Sequence, residues 1–139
     1  MKRVVIDTNS LVAARWKRGG CSAALMELCI DGAVRALVTK QIERENRRIL
    51  KKVRPPSGYW RTLERFYDTA EVVADTPRIK LAEDAEDDKY LECAVGGKAD
   101  YVISSDRHLL VHDGYEGIRI CKSHEFFREN PGVGAGGSV

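Results

Sequence analysis

Two aspartates follow buried strands in this chain of 139 residues. Asp7 comes directly after three apolar residues in "VVIDTNSLV", and Asp106 follows the strand-like run at 101–104, after Ser104 and Ser105. A carboxylate at the end of a buried strand is costly unless a cation or a hydrogen-bond donor pairs with it. Either aspartate taken alone is also typical of a turn or of a helix N-cap.

A third acid lies on the amphipathic helix predicted for 40–53. With about 100° per residue, Glu45 falls on the apolar side of this helix, about 70° from the centre of that side, whereas Glu43 lies further round. Glu45 therefore points toward the predicted sheet. The alternative is an ion pair between Glu45 and Arg48, one turn later on the same helix.

The stretch "EDAEDDKYLECAV" places three more acids on the inward face of a helix. Asp84, Asp87 and Asp88 extend the i, i+3, i+4, i+7 pattern that ends at Leu91. The helix macrodipole favours acids in a first turn, but it has no preference for one face. Carboxylates that share an inward face repel one another unless a cation compensates. Because Lys89 is expected to lie away from them, this pattern favours a bound cation.

Strand-like runs alternate with helical patterns along the chain. The runs are 3–6, 35–39, 71–74, 101–104 and 118–121, and the helical patterns are 22–31, 40–53, 58–67, 84–95 and a short one after 106. This alternation predicts an α/β fold in which helices cover both faces of a parallel sheet. Such sheets bind ligands at the carboxyl ends of their strands.

The acids found above all come to one edge of such a sheet. The set expected to share one pocket is Asp7, Glu45, Asp84, Asp87, Asp88 and Asp106. Oxygen ligands without His or Cys suit hard cations such as Mg²⁺ or Mn²⁺.

Composition and length predict one soluble domain over 1–130 and a Gly-rich flexible tail over 131–139. No apolar run approaches the roughly 20 residues that cross a membrane, and the N-terminus lacks a signal-peptide pattern, so a cytoplasmic location without membrane contact is expected.

The cysteines are expected to be reduced core residues, because their spacing fits neither a zinc site nor a C-x-x-C pair. They are Cys21, Cys29, Cys93 and Cys121.

Charge is segregated along the chain. Residues 35–65 contain ten Lys or Arg against three acids, and residues 68–92 contain nine acids against three Lys or Arg. This segregation suggests one surface for a polyanion and a separate site for cations. A solvated basic helix beside an acidic helix start is the alternative.

The motifs described above resemble those of the PIN domain nucleases, especially the compact bacterial and archaeal toxin components of toxin–antitoxin pairs. The matching segments are "VVIDTNSLVAA", "VTKQIERENRRIL" and "DAEDDKYLECAVGGKADYVISSDRHLL", which cover nearly the whole chain. The family acid of the middle segment falls at Glu45. The D-x-x-D pattern of the third segment falls at Asp84 and Asp87, with Asp88 adjacent, and no family acid is missing.

The resemblance implies a PIN-like three-layer α/β/α sandwich with four or five parallel strands, and metal-dependent endonucleolytic cleavage of RNA. One or two Mg²⁺ or Mn²⁺ ions would activate a water for attack on the phosphodiester. Asp7, Asp87 and Asp106 are then the implied ligands, and Glu45 is a ligand or orients the water. Asn9 and Ser104 are expected to support these carboxylates, unless they are ordinary turn and strand-end residues.

The resemblance also implies partners for the basic residues. The expected partners are an RNA substrate, a cognate antitoxin protein and a second copy of the chain in a homodimer. The residues expected to contact RNA are Arg15, Lys17, Arg18, Arg44, Arg48 and Lys51. Tyr59 and Trp60 either stack on a base or anchor a helix in the core or at a dimer contact.

Two other classes of function stay open at this point. One is a non-catalytic module that binds RNA or a protein partner. The other is phosphoryl transfer on a flavodoxin-like sheet, in which Asp7 or Asp106 takes the phosphate. A lysine or arginine close to the acids in space would favour phosphoryl transfer.

Overall fold

Five short parallel strands form the centre of the molecule. The computed structural model describes residues 1–14, 20–81 and 85–133. The strands pair in the order β3-β2-β1-β4-β5. Their bounds are β1 (Lys2–Ile6), β2 (Val34–Val38), β3 (Glu71–Val72), β4 (Tyr101–Ile103) and β5 (Arg119–Cys121).

Helices connect the strands and cover both faces of the sheet. In the described ranges they are α1 (Thr8–Ala14), α2 (Cys21–Asp31), α3 (Lys40–Val53), α4 (Ser57–Thr69), α5 (Ala85–Gly96), α6 (Arg107–Leu110) and α7 (Ser123–Glu129), with a 3₁₀ turn at Tyr115–Gly117. Together with the five parallel strands, they confirm the predicted three-layer α/β/α sandwich.

The hydrophobic core consists of two clusters, one on each face of the sheet. Side chains alternate along β1, so that Val4 and Ile6 belong to one cluster and Val5 to the other. The first cluster packs against α1, α2, α4 and α7, and the second packs against α5 and α6. Helix α3 contributes to both clusters, through Leu50 and Ile42 respectively.

The order of the strands creates a switch point beside β1. The chain proceeds from β1 to β2 and β3 on one side, and then returns to place β4 and β5 on the other side. Ile6 and Ile103 are paired at the carboxyl ends of β1 and β4. The backbone N–H of Asp7 still donates to the carbonyl of Ile103, at 3.0 Å. Adjacent strands that lead in opposite directions leave a crevice at their carboxyl ends, where open α/β sheets bind ligands.

Two helices escaped prediction, and β3 is shorter than expected. Helices α1 and α7 have seven residues each, which is too short for a clear apolar period. Strand β3 covers only Glu71–Val72, although the N–H of Val73 still donates to the carbonyl of Val38 at 2.8 Å. Residues 131–133 form a turn in which Val133 packs against the core, and the rest of the predicted tail, 134–139, lies outside the described residues.

The cysteines are free, and three of them are core residues as predicted. Cys29, Cys93 and Cys121 are buried, and burial raises the pKa of each thiol to about 12. The prediction is wrong for Cys21, which is exposed because it occupies the first position of α2. No helix in the described part of the chain combines the length and the apolar character needed to cross a membrane.

A buried polar network connects four helices beneath the carboxyl end of β1. Asn46 of α3 is 1% exposed; its side-chain carbonyl accepts from the hydroxyl of Thr8, and its amide donates to the hydroxyl of Tyr67 at 2.9 Å. The Thr8 hydroxyl also lies 2.6 Å from the hydroxyl of Tyr90. Because buried polar groups are costly when unpaired, this network ties α1, α3, α4 and α5 into one arrangement.

We therefore predict that Asn46→Ala destabilises the fold by roughly 1–3 kcal/mol, since it leaves the buried hydroxyls of Thr8 and Tyr67 without their shared partner. The free energy of unfolding, measured in urea by circular dichroism, checks this prediction. Gln41→Ala, an exposed change on the same helix, is the matched control and should stay within about 0.5 kcal/mol of the wild type. Equal effects of the two changes would contradict the role assigned to the network.

Candidate active site

A cavity of about 250 Å³ opens at the carboxyl edge of the sheet, at the switch point. Residues from the end of β1, from α1, α3 and α5, and from the β4–α6 connection line it. Four of the acids selected from the sequence are among these residues: Asp7, Glu45, Asp87 and Asp106. The fold thus brings together side chains that are far apart in the chain.

Asp7 is the most enclosed of the aspartates in this cavity. It is 3% exposed, and both of its carboxylate oxygens accept hydrogen bonds. Oδ2 accepts from the hydroxyl of Ser104 at 2.5 Å, and Oδ1 accepts from the backbone N–H of Ser10 at 2.8 Å. The hydrogen bond from Ser10 makes Asp7 the N-cap of α1. Asp7 therefore both caps a helix and lines the cavity.

Burial raises the pKa of Asp7 above its usual range. The hydrogen bonds from Ser104 and Ser10 lower this pKa, and the negative charge of Asp106 raises it. The raised pKa means that the ionised carboxylate is less well stabilised here than in water. A cation beside Asp7 would supply the missing stabilisation.

Ser104 connects the two aspartates that follow the strands. Its hydroxyl donates to Asp7 and accepts from the backbone N–H of Asp106, at 2.9 Å. Asp106 in turn caps α6, since its Oδ1 accepts from the N–H of His108 at 2.9 Å. Ser104 therefore contacts both aspartates through hydrogen bonds, in the place where the sequence predicted a supporting residue. Asn9, the other predicted supporting residue, is exposed and lines the cavity.

Lys89 lies among the acids. Its ammonium contacts the carboxylate of Glu45 and lies 3.3 Å from Glu86. The side chains of Lys89 and Glu45 are 11% and 20% exposed. Lys89 was expected to lie away from Asp84, Asp87 and Asp88, and its described ion pairs are with Glu45 and Glu86 instead, because its long stem reaches from α5 across to α3. The pair with Lys89 also takes the place of the Glu45–Arg48 pair considered from the sequence.

The ammonium of Lys89 stays charged in this position. Burial lowers the pKa of Lys89, but the hydrogen bond to Glu45 and the nearby negative charges outweigh that effect. The pKa therefore lies above its ordinary value. Lys89 is a fixed positive charge on the side of the cavity formed by Glu45.

The three aspartates predicted near the start of α5 have separate locations. Asp87 is half-buried and lines the cavity. Asp88 is buried outside the cavity lining, where its Oδ1 accepts from the backbone N–H of Leu81 at 3.1 Å. Asp88 thus holds the segment before α5, because a residue one position further along the helix turns by about 100°. Asp84 falls in 82–84, outside the described residues.

Three of the six basic residues predicted to contact RNA, Arg44, Arg48 and Lys51, lie on the outer side of α3. Arg48 is exposed and lines the cavity, and Arg44 lines an adjoining groove with Arg48 and Glu45. Lys51 is exposed one turn further along the helix. The other three candidates, Arg15, Lys17 and Arg18, fall in 15–19, outside the described residues.

The neighbouring aromatic and basic residues have structural contacts. Tyr59 is buried and its hydroxyl donates to the carbonyl of Leu11 at 2.8 Å, while Trp60 packs against the core. Both aromatic residues therefore anchor α4 in the core. Arg47 turns toward α4, where it pairs with Glu64 and lies 4.7 Å from the ring centre of Tyr67.

The donor chemistry of the cavity fits a hard divalent cation. Asp7, Asp87 and Asp106 offer carboxylate oxygens, which Mg²⁺ and Mn²⁺ prefer. The desolvated charge of Asp7 is the kind that a cation stabilises. In the described ranges, no three acidic, His or Cys side chains are yet close enough to form a ready ligand cluster. The carboxylate donors of the cavity are of the chemical kind that such an ion prefers.

The sequence pattern missed several residues that shape this site. Asn46 was detectable, because Ile42, Asn46 and Leu50 recur every four residues on one helix face. Thr8 and Tyr90 carried no such signal, since their contact joins residues that are 82 positions apart. The reach of Lys89 across the cavity depends on its rotamers, which the sequence pattern does not encode.

Comparison with known proteins agrees with the geometry. A family model described as "PIN domain" matches residues 3–108. This range contains all four acids of the cavity. No curated protein and no solved structure matches the chain.

The matched range covers most of the chain and contains nearly all of β1 together with α3, α5 and β4, which help to build the cavity. PIN domains are generally nucleases, and they typically use divalent metal ions. The chain belongs to the PIN domain family.

Proposed function

We propose that this protein is a metal-dependent endoribonuclease, with Asp7, Glu45, Asp87 and Asp106 as its acidic centre. The observation that carries the proposal is the meeting of these four acids in one cavity at the switch point of the sheet. Four different elements contribute them, so that local helix or turn chemistry alone does not account for the cluster. Mg²⁺ and Mn²⁺ are the cofactors that its oxygen donors favour.

The proposed reaction is hydrolysis of an RNA phosphodiester bond. When bound, a divalent cation supplies the Lewis acidity that activates water and neutralises charge developing on the phosphate. The oxygen of the water forms a bond to phosphorus, the bond from phosphorus to the leaving sugar oxygen breaks, and that oxygen leaves with a proton. Asp7, Asp87 and Asp106 would hold the ion, and Ser104 fixes the positions of Asp7 and Asp106 through its two hydrogen bonds.

Basic residues beside the cavity favour a polyanionic substrate. Arg48 at the cavity and Arg44 in the adjoining groove place positive charge where a phosphate backbone would approach the acids.

We further propose, from the resemblance to compact prokaryotic PIN toxins, that the protein acts as a toxin in the cytoplasm and that a small antitoxin protein inhibits it. Growth arrest on expression, relieved by Asp7→Asn, would support the toxin role, and normal growth would contradict it.

Phosphoryl transfer is the second candidate, and the position of Lys89 favours it. Lys89 lines the same cavity as Asp7 and Asp106, and a lysine near the acids is the feature expected if one of these aspartates accepts a phosphoryl group. The match to the PIN domain family supports the nuclease instead. Incubation with acetyl phosphate and Mg²⁺ separates the two, because an aspartyl phosphate adds the mass of one phosphoryl group to the intact protein.

We predict that Asp7→Asn lowers the rate of RNA cleavage with Mn²⁺ by about a hundredfold or more, the usual order for losing one group of a catalytic set. Asp88→Asn is the matched control, since it changes an aspartate outside the cavity lining. It should leave the rate within a few-fold of the wild type. Cleavage of a labelled single-stranded RNA, followed on gels, measures both rates, and an active Asp7→Asn variant would rule out the proposed centre.

The raised pKa of Asp7 predicts a stability effect that depends on pH. Because the folded pKa lies above the unfolded one, this group favours folding less as the pH rises through its range. In a chelator at pH 7, Asp7→Asn should therefore be more stable than the wild type, by on the order of 1 kcal/mol. The difference should shrink as the pH falls and Asp7 takes up a proton.

Adding Mn²⁺ at pH 7 should stabilise the wild type more than Asp7→Asn, because only the wild type keeps all of its ligands. Thermal melts at several pH values, with chelator or with Mn²⁺, measure these effects. A wild type that is more stable than Asp7→Asn in chelator would contradict the cost assigned to the buried charge.

The position of Arg44 and Arg48 predicts a salt-dependent contribution to RNA binding. Replacing either with Ala should weaken binding and reduce the slope of log K against log salt by about 0.7, the value for one phosphate contact on a single strand. Arg128→Ala removes the same charge from α7, at a side chain 70% exposed, and should leave the slope unchanged. Fluorescence anisotropy of a labelled RNA in chelator gives the slopes, and equal slopes for all variants would refute the contact.

A further inference from the structure

The cavity holds an excess of negative charge with an uneven distribution of cations. Two of its described lining residues are basic, Lys89 and Arg48, and five are acidic: Asp7, Glu45, Glu86, Asp87 and Asp106. Arg48 is exposed, whereas the side chain of Lys89 is 11% exposed. Lys89 is therefore the cation that belongs to the interior of the cavity.

The contacts of Lys89 are directed to one side of the cavity. Its ammonium contacts Glu45, lies 3.3 Å from Glu86 and lies 5.2 Å from the ring centre of Tyr90. An enclosed ammonium is costly unless it is paired with a carboxylate. The pair with Glu45 meets this cost and neutralises the candidate ligand that α3 contributes.

The contacts of Asp7 are of a different kind. The two hydrogen bonds described for the carboxylate of Asp7 come from uncharged donors, the hydroxyl of Ser104 and the backbone N–H of Ser10. Asp106 lies close enough to add its own negative charge to the environment of Asp7. The hydrogen bonds described for Asp7 leave its charge without a cation beside it, whereas Lys89 already supplies a positive charge at Glu45.

We propose that Lys89 occupies the position at Glu45 that a second divalent ion takes in a two-ion centre, so that this chain binds one divalent ion, at Asp7, Asp87 and Asp106. The inference rests on the proposed function. In a two-ion centre, the ions stabilise the attacking and the leaving oxygens. The ammonium of Lys89 supplies one of these positive charges as part of the protein.

The test is the number of Mn²⁺ ions bound by the full chain, measured by isothermal titration calorimetry. We expect one ion per chain for the wild type and two for Lys89→Met, which keeps the volume of the stem and frees the carboxylate of Glu45. Lys89→Arg keeps the charge and should bind one ion. The double variant Lys89→Met with Glu45→Gln should also return to one ion, and Arg48→Met, which removes the exposed cation, should not change the number.

A second readout guards against a variant that folds poorly. In chelator, Lys89→Met should melt at a lower temperature than the wild type, since Glu45 loses its cation, and Mn²⁺ should raise that temperature more than it does for the wild type. Two ions in the wild type, or one ion with unchanged affinity in a folded Lys89→Met, would overturn this inference while leaving the proposed function intact. A wild type that binds no Mn²⁺ would overturn both.

Discussion

The burial of one carboxylate, that of Asp7, is the constraint on which the rest of the site depends. Asp7 ends the central strand of the sheet, where it is 3% exposed and beside a second aspartate. The hydrogen bonds from Ser104 and Ser10 fix its orientation without neutralising its charge. Keeping this carboxylate buried and ionised at neutral pH lowers the stability of the fold. Groups that are held in such unfavourable electrostatic surroundings are found mainly at functional sites.

The surrounding elements are arranged around that charge. The strand order places the end of β4 beside the end of β1, and the buried network of Thr8, Asn46, Tyr67 and Tyr90 fixes α1, α3, α4 and α5 relative to one another. Two of these network residues are chain neighbours of site residues, since Thr8 follows Asp7 and Asn46 follows Glu45. The packing that stabilises the fold therefore also sets the positions of the acids.

Much of this architecture was predictable because it depends on local periodicity. The helix at 40–53 and the alternation of strands and helices follow from apolar spacing, and parallel strands bring Asp7 and Asp106 to one edge. What escaped prediction depends on long-range contacts. Lys89 reaches Glu45 across 44 positions, and Asp88, which the sequence pattern placed on the same inward face as Asp87, accepts from the backbone of Leu81 instead of lining the cavity. Side-chain reach of this kind is decided by packing, which one sequence does not display.

The cavity contains more carboxylates than basic side chains, and these carboxylates differ in what neutralises them. Lys89 compensates Glu45, and we propose that a divalent cation compensates the aspartates. The most direct measurement is a crystal structure with Mn²⁺, in which anomalous scattering locates the ion. The account predicts an ion within about 2.5 Å of carboxylate oxygens of Asp7 and Asp106. A cavity without an ion at saturating Mn²⁺, or an ion bound only elsewhere on the chain, would contradict it.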